Sequence, residues 1–308
     1  MTPQMSSNVP GSGGGSAGPQ GAGGSPGPWS DLERPPLSAP ALRRALLTPE
    51  SLWNELDVVE RTGSTNTDLV HRVNRGPVEE GTILVAEEQT SGRGRLDRHW
   101  DAPPRSGLFF SFVLHPAPEI PQRAWSWLPL LAGVATATAL ARTAGVDTML
   151  KWPNDLLAEV DGEERKIGGI LAERVGDAVH HAVVVGIGVN VSLHADELPV
   201  PEAGSLLLAG ARGTDRDPLL RAILRSVEGW YREWRDAGGD AAACGLQETY
   251  AAGCATLGRT VRAELPGGKE LVGEAVAVDG DGQLVLATGS GVEQAVGAGD
   301  IVHLRPHD

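Results

Sequence analysis

The chain has 308 residues, 41% of them hydrophobic, enough for about two domains with buried cores. A formal charge of −14 argues against broad electrostatic binding to nucleic acid, whose affinity rests on Lys/Arg–phosphate contacts. Two cysteines, Cys244 and Cys254, exclude a disulfide-stapled secreted domain and read as small buried thiols.

Residues 1–30 carry no charged side chain and consist largely of Gly, Ser and Pro, so a disordered, dispensable tail is expected. It has no basic segment followed by an apolar one, and the chain shows no uncharged apolar run of about 20 residues. A cytoplasmic protein without a membrane span is therefore expected.

A short helix is predicted around residues 41–47, then a strand over 56–60 ending in a turn at Gly63. Ser64 reads as a helix N-cap, with Thr65-x-x-Asp68 resembling a capping box. Strands follow at 82–87 and 108–114. Residues 124–144 read as a long helix, buried on most sides because no face is charged. Strands at 149–152, 156–159, 166–174 and 182–191 come next, with hairpin-type turns at Asp161-Gly162 and Gly176-Asp177. Such a meander is unlike a Rossmann βαβ series. Over 218–234, Leu219, Leu220, Ile223, Leu224, Val227, Trp230, Tyr231 and Trp234 repeat with helical period. Short strands at 259–264, 271–278, 284–287 and 301–304 suggest a small β-barrel of SH3-like size. The fold class expected is α+β: a central mixed or antiparallel sheet with helices, then the small barrel. The expected division is a tail at 1–33, a catalytic domain at 34–255 and a C-terminal β domain at 256–308.

Chemistry concentrates in five segments. Ser91 to Trp100 packs Arg93, Arg95 and Arg98 around Gly92 and Gly94. Arginine forks match phosphate or carboxylate oxygens, so an anion would order this loop, although a merely solvated basic loop is the plain alternative. The glycines are no dinucleotide fingerprint, since Gly-x-Gly-x-x-Gly fails at Asp97, and no P-loop is present. Lys151-Trp152-Pro153-Asn154-Asp155 places Asn154 and Asp155 at a tight turn, either as turn formers or as ligands of Mg²⁺, ribose or phosphate. Lys166-Ile167-Gly168-Gly169 sets a cation beside two strand glycines, which often mark close backbone approach by a ligand. Asn190, in Gly186-Ile187-Gly188-Val189-Asn190, needs partners if buried, from a ligand or from backbone. Ser64-Thr65-Asn66 puts small polar side chains at a helix start. Only three of the 26 basic residues are lysines, Lys151, Lys166 and Lys269, and two of them lie in these segments.

Together these segments resemble the catalytic domain of the biotin–protein ligases, in order and spacing, over about residues 58–192. The resemblance implies synthesis of biotinyl-5′-AMP from biotin and ATP, then transfer of biotin to a lysine of a carrier protein. It places Ser64, Thr65, Asn66, Gln89, Arg93, Gly94, Arg95, Lys166, Gly168 and Gly169 at biotin. Arg95, Arg98, Trp100, Asn154, Asp155 and Asn190 fall at the nucleotide, with Lys166 and Arg93 catalytic and Asp155 a candidate Mg²⁺ ligand. The implied partner is the biotin carboxyl carrier protein or domain of a biotin-dependent carboxylase, and a homodimer is compatible. Too little ordered chain precedes Ser64 for a DNA-binding module, so no DNA partner is expected. Lipoate–protein ligases are the nearest rival; Gly92–Arg95 and Lys166–Gly169 favour biotin.

Overall fold

The computed structural model describes residues 34–176, 181–265, 269–289, 291–297 and 300–303. The expected tail, and Asp177 of the second hairpin turn, lie outside these residues. Ser38 caps α1 (Ala39–Leu46), which packs Leu42 and Leu46 beside β1 (Glu55–Val59). Ser64 caps α2 (Thr65–Arg75), its hydroxyl accepting the Thr67 N–H at 3.4 Å. The expected capping box is not closed, because Asp68 instead accepts a hydrogen bond from the Thr62 hydroxyl. After β2 (Thr82–Ala86), the arginine-rich segment folds as a small hairpin of β3 (Gly92–Arg93) and β4 (His99–Trp100), joined through a 3₁₀ turn. Next come β5 (Gly107–Leu114) and α3 (Trp127–Thr143), which a 3₁₀ turn precedes.

The meander is present as β6 (Thr148–Lys151), β7 (Asp155–Val160), β8 (Glu163–Gly176) and β9 (His181–Asn190). With the earlier strands it forms a seven-stranded sheet in the order β1-β2-β5-β9-β8-β7-β6, where only β1–β2 is a parallel pair. Then α4 (Arg216–Asp236) turns Leu219, Leu220, Ile223, Leu224, Val227, Tyr231 and Trp234 into the core, as its periodicity predicts. Helix α5 (Leu246–Gly253), a short helix that packs on α3, has no counterpart among the predicted elements.

Helices α3 to α5 cover one face of the sheet and α2 the other. Gln122–Thr143 is by length and composition apolar enough to cross a membrane, but most of it is buried inside the fold, as expected of the helix predicted at 124–144. Strand alternation divides the core accordingly. Phe110, Phe112, Val183, Val185 and Ile187 face α3 in the main core, whereas Val113, Ala182, Val184 and Val175 join Leu69 of α2 in a smaller one.

A second sheet holds β10 (Thr260–Leu265), β11 (Lys269–Val278), β12 (Leu284–Ala287), β13 (Glu293–Val296) and β14 (Asp300–His303), all antiparallel, in the order β13-β12-β11-β10-β14. β13, whose Glu293–Ala295 are exposed, was not foreseen. Val261, Ala263, Ala275, Leu284, Leu286, Val296 and Ile301 make its interior, continuous with the main core.

Candidate active site

Beyond the small core, the α2 face of the sheet carries four small residues in one patch. Ser111 of β5, Gly186 and Gly188 of β9 and Gly169 of β8 lie side by side there, through the pairs Ser111↔Gly186 and Gly169↔Gly188. The result is a cavity of about 610 Å³ between the sheet, the start of α2, the β3–β4 hairpin, the 151–155 turn and the second sheet. Five Arg and Lys residues line it (Arg93, Arg95, Arg98, Lys151, Lys166) against three carboxylates (Asp155, Glu202, Glu264). In a chain of net charge −14, that local reversal marks a site for anions.

The strand glycines do permit close approach, but of the protein's own side chains. The Trp100 indole lies over the floor: a Cβ on Gly188 would meet it at 3.2 Å and one on Gly169 at 3.4 Å. Its ring N–H is buried without a partner among the described residues. A Cβ on Gly186 would fall 2.7 Å from Asn66 Oδ1.

Lys166 reaches the cavity through a β-bulge. Leu156 pairs with Gly168 but Leu157 with Lys166, so Ile167 is an extra residue in β8. The bulge shifts strand parity: Ile167 and Ile170 both enter the core, and Lys166 shares the cavity face with Gly169. The Lys166 ammonium is 2.6 Å from Asp155 Oδ1 and 5.7 Å from the centre of the Trp100 ring. Asn154 is anchored to β8, its amide donating to the Ile170 carbonyl at 2.9 Å, while its carbonyl side faces Arg95 Nη1 at 3.5 Å.

At the opposite end the polar groups interlock. Gln89 Oε1 accepts from the Thr65 N–H at 2.9 Å and the Thr65 hydroxyl at 3.2 Å, and Thr65 Oγ1 is 2.8 Å from Ser111 Oγ. The Asn66 amide donates to Glu173, and Arg93 meets the same carboxylate at 3.3 Å.

The second sheet closes the far wall with Glu264, Ile301 and Val302. It also fastens the 151–155 turn, whose Trp152-Pro153 peptide is cis. The Trp152 backbone N–H donates to Thr256 Oγ1 at 3.1 Å and its indole N–H to the Gly282 carbonyl at 3.0 Å. His303 completes this junction, with Nε2 3.1 Å from Thr256 Oγ1 and Nδ1 3.3 Å from Arg259. Burial, then the nearby charges of Lys151 and Arg259, push the His303 pKa down to about 4 against the opposing pull of Glu164. The Arg259 guanidinium, hydrogen-bonded to Glu164, holds that carboxyl below its usual range.

Of the residues expected at the site, Ser64, Thr65, Asn66, Gln89, Arg93, Gly94, Arg95, Arg98, Trp100, Asn154, Asp155, Lys166 and Gly169 line this single cavity. Two do not. Gly168 points to the other face, where a Cβ would strike Leu156 and the Gly188 carbonyl at 2.8 Å. Asn190 is buried behind the wall, its amide donating to the Gly204 carbonyl at 2.9 Å. Lys151 lines the cavity from within the segment singled out by the sequence, whereas Ser111 and Glu202, also in the lining, and Glu173, which holds Asn66 and Arg93, were missed, and only strand parity could have flagged Ser111 and Glu173. Among the described residues no cluster of three His, Cys, Asp or Glu could cage a metal, so Asp155 is an isolated carboxylate, already paired to Lys166.

Comparison with known proteins gives a consistent result. Residues 58–190 match the biotin/lipoate A/B protein ligase family, and residues 256–304 the biotin protein ligase C-terminal domain. The biotin–[acetyl-CoA-carboxylase] ligase of Mycobacterium tuberculosis is 41% identical over 278 residues, covering 89% of this chain and 98% of that one. The bifunctional ligase/repressor BirA of Bacillus subtilis is 34% identical, covering 79% and 71%. A biotin protein ligase from Aquifex aeolicus, solved with biotin and ATP, superposes with a TM-score of 0.64 at 26% identity, covering 82% of this chain and 100% of that one.

Proposed function

The chain belongs to the biotin–protein ligase family, and from that premise we propose that its cavity joins biotin to ATP and passes the biotinyl group to a carrier lysine. The observation that carries the reading is the placement of Lys166: a bulge turns it onto a glycine floor, between the polar end at Thr65 and Gln89 and the Asn154–Asp155 turn. The ring end of biotin takes the Ser64, Thr65, Asn66, Gln89 and Ser111 end, and its carboxylate points to Lys166. The nucleotide occupies the side lined by Arg95, Arg98, Trp100, Asn154 and Asp155. Asn190 acts from behind, tethering the Gly204 segment.

In the first step a biotin carboxylate oxygen attacks the α-phosphorus of ATP. The new O–P bond forms as the bond to the bridging oxygen breaks, and pyrophosphate leaves with that electron pair. Two anions must meet, and Lys166 with the cavity arginines offsets their repulsion; a donor aimed at such developing charge is worth about 10²–10³ in rate. In the second step the carrier lysine amine attacks the acyl carbon, AMP leaves, and the amine proton passes to solvent. Between steps the β3–β4 hairpin shields the mixed anhydride from water. Asp155 would be the site carboxylate to hold a magnesium ion brought by the nucleotide, which would keep most of its waters and supply positive charge to the phosphates. Relatives named as acetyl-CoA-carboxylase ligases support a carboxylase carrier as the acceptor.

The test is pyrophosphate release from biotin, ATP and Mg²⁺, followed by biotin labelling of an added carboxylase carrier. Turnover with biotin and none with lipoate is expected. Turnover with lipoate alone, or with neither acid, would overturn the reading.

A further inference from the structure

On the cavity face of β8, residues 169, 171, 173 and 175 alternate with the core face. Gly169 belongs to the floor and Val175 to the small core under α2. Glu173 lies between them, a half-buried carboxylate beneath a helix start. Its two oxygens serve two different elements. One accepts from the Asn66 amide of α2 and the other from Arg93 Nη1 of the β3–β4 hairpin at 3.3 Å. Arg93 Nη1 is also 3.4 Å from Thr67 Oγ1, so hairpin, helix and strand meet at this carboxylate.

A carboxylate only accepts hydrogen bonds, so the nitrogen of the Asn66 carboxamide must face Glu173 and its oxygen must face away. That oxygen is held above Gly186, buried and without a partner among the described residues. A buried acceptor left unpaired is costly, and an N–H donor of a ligand would satisfy it. The cyclic urea of biotin carries such donors.

We propose that Glu173 is a positioning residue that couples recognition of the urea end of biotin to anchoring of the Arg93 hairpin. The inference rests on the ligase reading above. The same carboxylate fixes which atom Asn66 presents to the ligand and ties down the hairpin that seals in the adenylate. Glutamine cannot replace it: an amide offers one acceptor and one donor, so it must either repel Arg93 or flip Asn66.

The test measures pyrophosphate release, biotin KM and the rate at which biotinyl-adenylate leaves the enzyme, in the full chain and in Glu173→Gln, Arg93→Gln and the double variant. Glu173→Gln should raise biotin KM and speed adenylate escape by roughly 10-fold or more, the size of a lost charge-assisted hydrogen bond. Its thermal midpoint should stay close to wild type. The double variant should be no leakier than the leakier single one, because the two residues act as a unit. If Glu173→Gln does not fold, Glu173→Asp keeps the charge one methylene back and should show the same direction at about threefold. Unchanged escape, single effects that multiply, or losses that follow only the thermal midpoint would overturn the role of Glu173 while wild-type turnover leaves the ligase reading intact. A wild-type chain that releases no pyrophosphate would sink both.

Discussion

The indole N–H of Trp152 donates to the carbonyl oxygen of Gly282 at 3.0 Å, fastening the turn that carries Asn154 and Asp155 to the second sheet. Trp152 is 2% exposed, so this bond has no water to replace it. Trp152→Phe keeps most of the apolar burial and leaves the Gly282 carbonyl unpaired, at about 1–3 kcal/mol of stability. The loosened turn should raise KM for ATP about 10-fold and KM for biotin far less. Steady-state pyrophosphate release against each substrate separates the two; equal rises would disprove a turn-specific role.

Lys166→Ala should lower the rate of adenylate formation by about 10² or more, because it removes the ammonium and leaves Asp155 unpaired in an anion site. Lys166→Arg should also be poor. The ammonium sits within 3.7 Å of where a Gly169 Cβ would be, and a planar fork does not fit the same space as a point charge. Single-turnover adenylation with radiolabelled ATP reads both, and wild-type rates in the arginine variant would reduce the role to generic charge.

Gly186→Ala should weaken biotin binding about 10-fold with little loss of stability. Its methyl group would lie 2.7 Å from Asn66 Oδ1 and 3.1 Å from Ser111 Oγ, so those two side chains must move while the core face is untouched. Titration calorimetry with biotin, paired with a thermal midpoint, checks both halves.

His303 makes stability depend on mildly acidic pH. The folded protein keeps it neutral down to about 4, whereas the unfolded chain takes up the proton near 6.5. Between those values the unfolded state binds more protons, so stability falls as pH drops through that window and this contribution levels off below it. The loss is at most about 3 kcal/mol. Glu164, held low by Arg259, acts only further down: its contribution is present above 4.5 and is lost as pH falls through its lowered value. Denaturant midpoints at about pH 7 and pH 5 should differ for wild type and converge in His303→Gln; an unchanged difference would refute the assignment.

The meander and α4 were legible because their signals are local. Asp161-Gly162 takes up positive φ at both residues in the tight turn that its dipeptide predicts, and the α4 stripe is read by period alone. The site was legible as motifs but not as geometry. Gly168 and Gly169 look equivalent in sequence, yet only Gly169 reaches the cavity. Their difference depends on strand facing, which the Ile167 bulge resets for Lys166 on the far side. Glu173 and Ser111 carry no motif of their own and matter through partners 107 and 46 residues away. The Trp152–Gly282 bond spans 130 residues, a separation no local pattern reports.

The alternation of β5 and β9 has a consequence for variation in this chain. Phe110 and Ser111, or Ile187 and Gly188, are chain neighbours divided between two compartments, the first of each pair packed into the main core at the cavity's edge and the second on the floor of the substrate space. Adjacent codons in these strands should therefore give opposite phenotypes: loss of folding with intact chemistry per folded molecule at one, and intact folding with lost chemistry at the next. Deleting one residue of β9 ahead of Gly186 would exchange the compartments, setting branched side chains into the substrate space and glycines into the interior. Such a deletion should be far more damaging than any substitution on either side, and a scan of single-codon deletions across residues 182–189 would show it.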